Sequence, residues 1–432
     1  MENKPQRWTR WVGVGFAAVA AFAILAPSPK AIPAFARKYH ISCFTCHTVF
    51  PRLTKFGYEF KRLGYRMPPD IDTHKPPKKV ASLDENIPWK LTDAAAVYMR
   101  TSVSHDTTTA TGSPRTSASS ANLDQVSILF GGSIPESGGF SYFGEYVAYQ
   151  DGGTSDMERA KFDWTGGTVR NSYFVGLGKS HLVEGYSAAD LYGLTDDDSA
   201  LGFGSSSPNG IYLAQSTGMV EGGYTFMSPD YKYVVGLTAK VANGLDVNGN
   251  GIGNGSTYNH KDVMFDADFL IGDNGSVSAM YYNGRKDTIQ NAGTPQQFTY
   301  VPTAKRWGLF GHYKFFDHLD VLGGYMGGRE DWQSTFNGPV NTFNTKAYFG
   351  EADYYIAQGL VVYGRYDKSN YDQPDFGLYA SNNTTWMAGV IKTVDRLGNV
   401  KLYAQFIDAK GNDITGAYNE DKQAKIGLDL AW

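Results

Sequence analysis

The stretch Asp262-Val263-Met264-Phe265-Asp266-Ala267-Asp268-Phe269-Leu270-Ile271 carries the reading of the fold. In an extended chain successive side chains point to opposite faces. Val263, Phe265, Ala267, Phe269 and Ile271 therefore share one face, and Asp262, Asp266 and Asp268 share the other. One face suits lipid, the other water. The split recurs over residues 345–356, where Tyr348, Ala352, Tyr354 and Ile356 oppose Glu351 and Asp353. It recurs again over residues 400–406, where Val400, Leu402, Ala404 and Phe406 oppose Lys401 and Gln405.

A water-soluble β-sandwich alternates in the same way, so the connections discriminate. Short turns are expected at residues 135–138, 228–231, 272–275, 316–319, 357–359 and 395–399. They alternate with longer polar stretches at 102–121, 179–209, 244–259, 286–298, 330–343 and 368–384. Short turns at one end and long loops at the other are the layout of an outer-membrane barrel. The fold expected is all-β: an antiparallel outer-membrane β-barrel of about 16 strands, both ends facing the periplasm, with a short α-helical segment ahead of it. In the last eight residues Ile426, Leu428, Leu430 and Trp432 alternate with Lys425, Gly427 and Asp429, similar to the C-terminal signal by which such barrels are recognised for assembly.

Composition agrees. Among 432 residues there are 50 Gly, 29 Tyr and 25 Phe, with only 19% charged, a mix suited to strands bearing aromatic girdles. A net charge of -4 leaves no basic footprint, which argues against a nucleic-acid partner. No nucleophile motif and no cluster of metal ligands points to a soluble hydrolase.

The N-terminus reads as a secretory signal: Lys4, Arg7 and Arg10, then an apolar run over residues 11–25, then small residues and prolines. That run is shorter than the ~20 residues of a spanning helix. Ala34-Phe35-Ala36 fits the A-x-A cleavage pattern, with Ala31 as the alternative site. The organisation expected is a signal peptide over 1–36, a short α-helical c-type cytochrome segment over 37–71 that carries Cys43-Phe44-Thr45-Cys46-His47, the C-x-x-C-H haem attachment sequence, and plugs the lumen, a Pro-rich linker over 72–88 and the barrel over 89–432.

The only two cysteines fall in Cys43-Phe44-Thr45-Cys46-His47. This is C-x-x-C-H, the attachment sequence for a c-type haem. Two thiols one helical turn apart can each form a thioether to a vinyl group of one porphyrin, and the adjacent imidazole then serves as proximal iron ligand. A thioredoxin-like pair would need a βαβ context, which is lacking here. Leu53, Phe56, Phe60 and Leu63 recur at helical spacing, with Pro51 near the start and Gly64 past the end, and predict a short helix packed on the porphyrin. Met67 is the preferred distal ligand, with His40 and His74 as alternatives. The strand pattern places Arg306, His312, Asp262, Asp266, Asp268, Glu351 and Asp353 inward, where they solvate a polar interior or hold the plug.

The stretch Phe35-Ala36-Arg37-Lys38-Tyr39, the Cys43–His47 motif, Phe50-Pro51-Arg52-Leu53, Phe56-Gly57, Phe60-Lys61 and Gly64-Tyr65 resembles the fused outer-membrane monohaem cytochrome-porins, a group that includes iron-oxidising outer-membrane cytochromes. The resemblance implies one covalent haem c and electron transfer across the outer membrane, with Fe(II) oxidase activity as one form of it. It implies an extracellular donor such as Fe(II), a periplasmic carrier such as a soluble cytochrome, and outer-membrane lipid around the barrel. The alternatives are outward transfer to an extracellular acceptor, and a solute porin whose haem segment is a plug or sensor.

Overall fold

The computed structural model describes residues 34–39, 41–49, 52–67, 95–134, 137–150, 155–182, 216–243, 261–272, 274–285, 288–290, 298–300, 303–316, 318–332, 340–372, 381–394, 400–412 and 417–431. The signal region to residue 33, His40, Phe50, Pro51, the linker with His74, and Trp432 lie outside the described residues.

Among the described residues three short helices come first: α1 (Ala34–Tyr39), α2 (Cys43–Cys46) and α3 (Lys55–Arg62). Between α2 and α3 a two-stranded ribbon forms from β1 (His47–Val49) and β2 (Arg52–Leu53), His47 opposite Leu53. The strands that follow are β3 (Ala95–Ala110), β4 (Thr116–Ser133), β5 (Phe140–Gln150), β6 (Asp156–Gly167), β7 (Asn171–His181), β8 (Ser216–Met227), β9 (Tyr233–Asn243), β10 (Lys261–Ile271) and β11 (Gly275–Arg285). A small hairpin of β12 (Thr288–Gln290) and β13 (Phe298–Tyr300) interrupts them. The chain continues through β14 (Thr303–Phe315), β15 (Leu319–Trp332), β16 (Asn341–Ala357), β17 (Leu360–Asp372), β18 (Ser381–Thr393), β19 (Val400–Asn412) and β20 (Tyr418–Ala431).

Apart from the ribbon and the hairpin, these strands close into one sixteen-stranded antiparallel barrel, in which β20 pairs with β3. Closure pairs the backbone groups of both edge strands, which is what allows a sheet to sit in hydrocarbon. The alternation resolves as expected. On β10, Phe265, Phe269 and Ile271 point outward, while Asp262, Asp266 and Asp268 are buried inward. Phe162, Leu177, Val220, Leu309, Tyr354, Trp386 and Phe406 continue the exposed apolar exterior around the circumference.

Two expectations need correction. Residues 102–121 do not form a long loop: β3 and β4 run 16 and 18 residues and are joined by a tight connection. Their serines and threonines lack the apolar alternation of lipid-facing strands, yet Ser104–Ser120 and Ser102–Asp124 hydrogen bonds hold the hairpin together. The helix after the haem motif is also shorter than its apolar spacing predicts, because Thr54 caps α3 and Leu53 belongs to β2.

Residues 34–67 fill the lumen at the short-turn end. Tyr58, Leu63 and the partly buried Leu53 join one apolar cluster with inward Met227, Val234, Met264, Leu270, Phe310 and Leu322 of the barrel. Val49 joins a second, with Val361, Tyr363, Ile391 and Tyr403. Burying these faces on both sides supplies the core that a 34-residue segment cannot build alone.

Candidate functional site

Cys43 and Cys46 lie at either end of α2, one turn apart, and His47 follows in extended conformation. Ser42 caps the turn by accepting the Phe44 N–H at 3.3 Å, a common way to satisfy a helix's first donors. The turn is clamped from the other side. The Thr54 N–H donates to the Cys46 carbonyl at 2.8 Å and the Thr54 hydroxyl to the Thr45 carbonyl at 2.8 Å. Thr54 also accepts the Gly57 N–H at 3.1 Å, so one residue caps α3 and binds it to the cysteine turn. Gly57 faces that turn so closely that a Cβ there would collide with the Cys46 carbonyl oxygen. Burial pushes the Cys46 thiol up to about 11. Both cysteines are half-buried, and among the described residues no disulfide joins them. Two thiols on one turn with an imidazole directly after them is the donor set a covalent haem requires, so these residues fit that group.

Aromatic rings pack α1 against α3 and the residues after it. Phe35 stacks on Tyr65 at 4.9 Å and meets Phe60 edge-on at 5.3 Å. Tyr39 meets Phe60 at 5.5 Å and donates its hydroxyl to the Tyr65 carbonyl at 2.7 Å. Phe35 and the buried Ala36, assigned by sequence to the end of the signal, thus belong to the packing of this segment. Gly64 ends α3 in the left-handed region at φ 65°, where a Cβ would also press on the hydroxyls of Ser141 and Thr165.

The segment is held to the barrel wall by two arginines and a tyrosine to which the sequence reading gave no role. Arg52 is only 1% exposed and reaches Asp320 of β15 at 3.1 Å, Glu351 of β16 at 3.1 Å and, closer still, Asp353. It also donates to the Tyr355 hydroxyl at 2.9 Å. Burial pulls the Arg52 guanidinium's pKa down; the surrounding carboxylates, Asp353 foremost, outweigh this and raise it well above its ordinary value. A quarter turn around the lumen, the Tyr58 hydroxyl donates to Asp268 at 2.9 Å, and burial followed by that carboxylate pushes the phenol well up. At the end of α3, Arg62 donates to the hydroxyls of Thr225 and Thr238 at 2.8 and 2.6 Å and lies 4.8 Å from the Phe174 ring centre.

All seven inward residues named from sequence face the lumen, in three roles. Glu351, Asp353 and Asp268 hold the segment. Arg306 pairs with Glu330, Asp262 accepts the Tyr282 hydroxyl at 2.7 Å and Asp266 approaches Lys240 at 3.7 Å, all within the wall. His312 lies 2.7 Å from the Ser276 hydroxyl. Met67 is half-buried just past Arg66, which donates to the Thr165 carbonyl of β6 at 3.1 Å. His47, by contrast, precedes α3 and lies opposite Leu53 in the ribbon, two residues before Val49, which packs on β17 to β19. The structure therefore gathers Cys43, Cys46 and His47 but sets Met67 at the opposite end of α3.

No family model and no curated protein matches the chain. Its fold is similar to that of an anion-selective porin from Comamonas acidovorans, at 11% identity and a TM-score of 0.53, covering 78% of this chain and 99% of that one. It is similar to the outer membrane channel DcaP of Acinetobacter baumannii, at 12% identity and a TM-score of 0.50, covering 80% and 99%. It is also similar to OmpF of Salmonella typhi, in a complex with daunomycin, at 14% identity and a TM-score of 0.50, covering 78% and 97%. At such identities the likeness speaks to architecture: the chain is a sixteen-stranded, porin-like barrel of the outer-membrane type.

Proposed function

We propose that this chain carries electrons across the outer membrane by way of one haem c attached to Cys43 and Cys46, with His47 as proximal ligand, as in the fused cytochrome-porins that its N-terminal segment resembles. The observation that carries the reading is the place of the C-x-x-C-H turn: inside the barrel mouth, clamped by Thr54 and held by the buried Arg52 cluster. A haem bound there would supply a one-electron iron couple. The chain's own part is to hold the turn at the short-turn, periplasmic end, in reach of a soluble periplasmic cytochrome, on a segment whose two flanking helices are locked together by aromatic rings.

One haem cannot bridge an apolar band about 25 Å tall, so the donor must enter the lumen from the long-loop side or pass its electron through a partner there. Extracellular Fe(II) is the donor proposed; outward transfer uses the same parts in reverse. A freely diffusive porin is disfavoured by the filled short-turn end, where Leu63, Val49 and Arg52 are almost wholly buried.

The test is an optical redox titration of the purified protein, with dilute Fe(II) added to the oxidised form. Reduced c-type bands appearing rapidly, and lost in Cys43→Ala with Cys46→Ala, are the expected result. A low potential with no response to Fe(II) would favour outward transfer, and absence of covalent haem would overturn the reading altogether. Met67→Ala in the same titration assigns the sixth ligand: an unchanged spectrum and potential would leave it to an imidazole such as His40 or His74.

A further inference from the structure

The fit of α1 inside the lumen bears on where the chain is cut during export. Cleavage after Ala36 would remove Ala34, Phe35 and Ala36, half of the six residues of α1. Phe35, Tyr65 and Phe143 of β5 form one pile of rings, with successive centres 4.9 and 6.0 Å apart, and Phe60 meets Phe35 edge-on. Phe35 also lies against the backbone of β4, where a Cβ on Gly131 would stand 3.1 Å from its ring. Ala36 is 5% exposed, and its carbonyl accepts the Ile41 N–H at 3.2 Å as the chain turns toward the cysteines. A leader that is discarded has no partner to fit. Local pattern and tertiary contacts that agree mark residues belonging to the fold.

The sequence ahead of α1 supplies another cut. A leader peptidase takes small, uncharged residues at the first and third positions before the bond, after an apolar run of about 7–15 residues. Ala21-Phe22-Ala23 meets both requirements, because residues 11–20 are all apolar or glycine and the triplet follows them directly. Ala34-Phe35-Ala36 matches the triplet but stands beyond Pro27, Pro29, Lys30 and Pro33, which separate it from that run. A cut after Ala31 would place Pro29 at the third position before the bond, where a small flexible residue is wanted.

We infer that processing spares α1: the leader is removed at the Ala23–Ile24 bond, and Ala34-Phe35-Ala36 is a docking element of the exported protein. Water adds across that amide in the site of a membrane-bound leader peptidase, leaving a carboxylate on Ala23 and an ammonium on Ile24. Phe35 then seats the plug against β4 and β5, a stretch of wall that Arg52, on β15 and β16, and Tyr58, on β10, do not reach. Neither haem nor electron transfer enters this inference, since a barrel of the outer-membrane type is exported whatever it carries.

The test is the intact mass and N-terminal sequence of the protein extracted from outer membranes. Ile24 is the first residue expected; a chain that starts at Arg37, or still at Met1, would overturn the inference. Two precursor variants separate the sites in a pulse-chase. Ala23→Asp puts a charge next to the proposed bond and should slow processing at least tenfold, whereas Ala34→Asp should be processed at the wild-type rate. The reverse pattern would return the cut to Ala36. Phe35→Ala, processed normally, should raise the rate of protease cleavage within residues 34–67 of the folded barrel at least tenfold. Protection equal to wild type would show that Phe35 docks nothing and would overturn the role given to the triplet.

Discussion

At the scale of single residues, Cys46 sets an order of events. Its thiol is raised from 9.0 to about 11 by burial alone. The thiolate is the reactive species, so at neutral pH roughly one folded molecule in ten thousand would carry it. Covalent attachment at Cys46 is therefore expected before the turn docks into the barrel. In haem-free protein carrying Cys43→Ser, labelling of Cys46 should climb about tenfold per pH unit from neutrality and level off near 11 when folded, but near 9 when denatured. The sign for stability follows: the unfolded thiol ionises first, so docking of the haem-free segment is at full strength below pH 9 and weakens as pH rises toward 11. Identical folded and denatured labelling profiles would show that the turn is not buried in the lumen.

At the scale of elements, period-two alternation makes β10, β16 and β19 readable because each strand separates lipid from lumen. It fails for β3 and β4, whose upper halves are polar on both faces and are held by cross-strand hydroxyls instead. The helix boundary fails for another reason. Leu53 keeps the helical spacing of Phe56 and Phe60, yet its backbone pairs with His47, and the Thr54 cap decides where α3 begins. Gly57 sits at the contact between α3 and the cysteine turn. Replacing a helical glycine by alanine ordinarily stabilises by about 0.4–1 kcal/mol. Here the added methyl meets the Cys46 carbonyl, a backbone atom that cannot swing aside, so Gly57→Ala should cost about 1–3 kcal/mol. Greater protease sensitivity of the segment and a shifted reduction potential are expected, and protection equal to wild type would refute the packing of α3 on α2.

At the scale of the whole molecule, what holds the lumen closed was the part least legible in the sequence. The C-x-x-C-H motif is local, and the inward acids follow from strand parity, so both could be read directly. Arg52 could not, because its partners Asp320 and Glu351 lie 268 and 299 residues away and meet it only once the barrel has closed. Three carboxylates facing one guanidinium make that residue the central latch of the plug. Removing one partner of a buried ionic cluster typically costs about 3–5 kcal/mol, because the remaining charges stay buried without compensation. Arg52→Ala should therefore loosen residues 34–67 while the barrel, closed through its own strand pairing, stays intact. In planar bilayers the wild type should conduct weakly and Arg52→Ala should show larger, fluctuating openings. Arg52→Lys should fall between the two, since one ammonium cannot reach all three acids and Tyr355 at once. If Arg52→Ala conducted no better than wild type, with the N-terminal segment equally protected from protease, Arg52 would be a bystander, and the apolar contacts of Val49, Tyr58 and Leu63 would suffice to keep the plug in place.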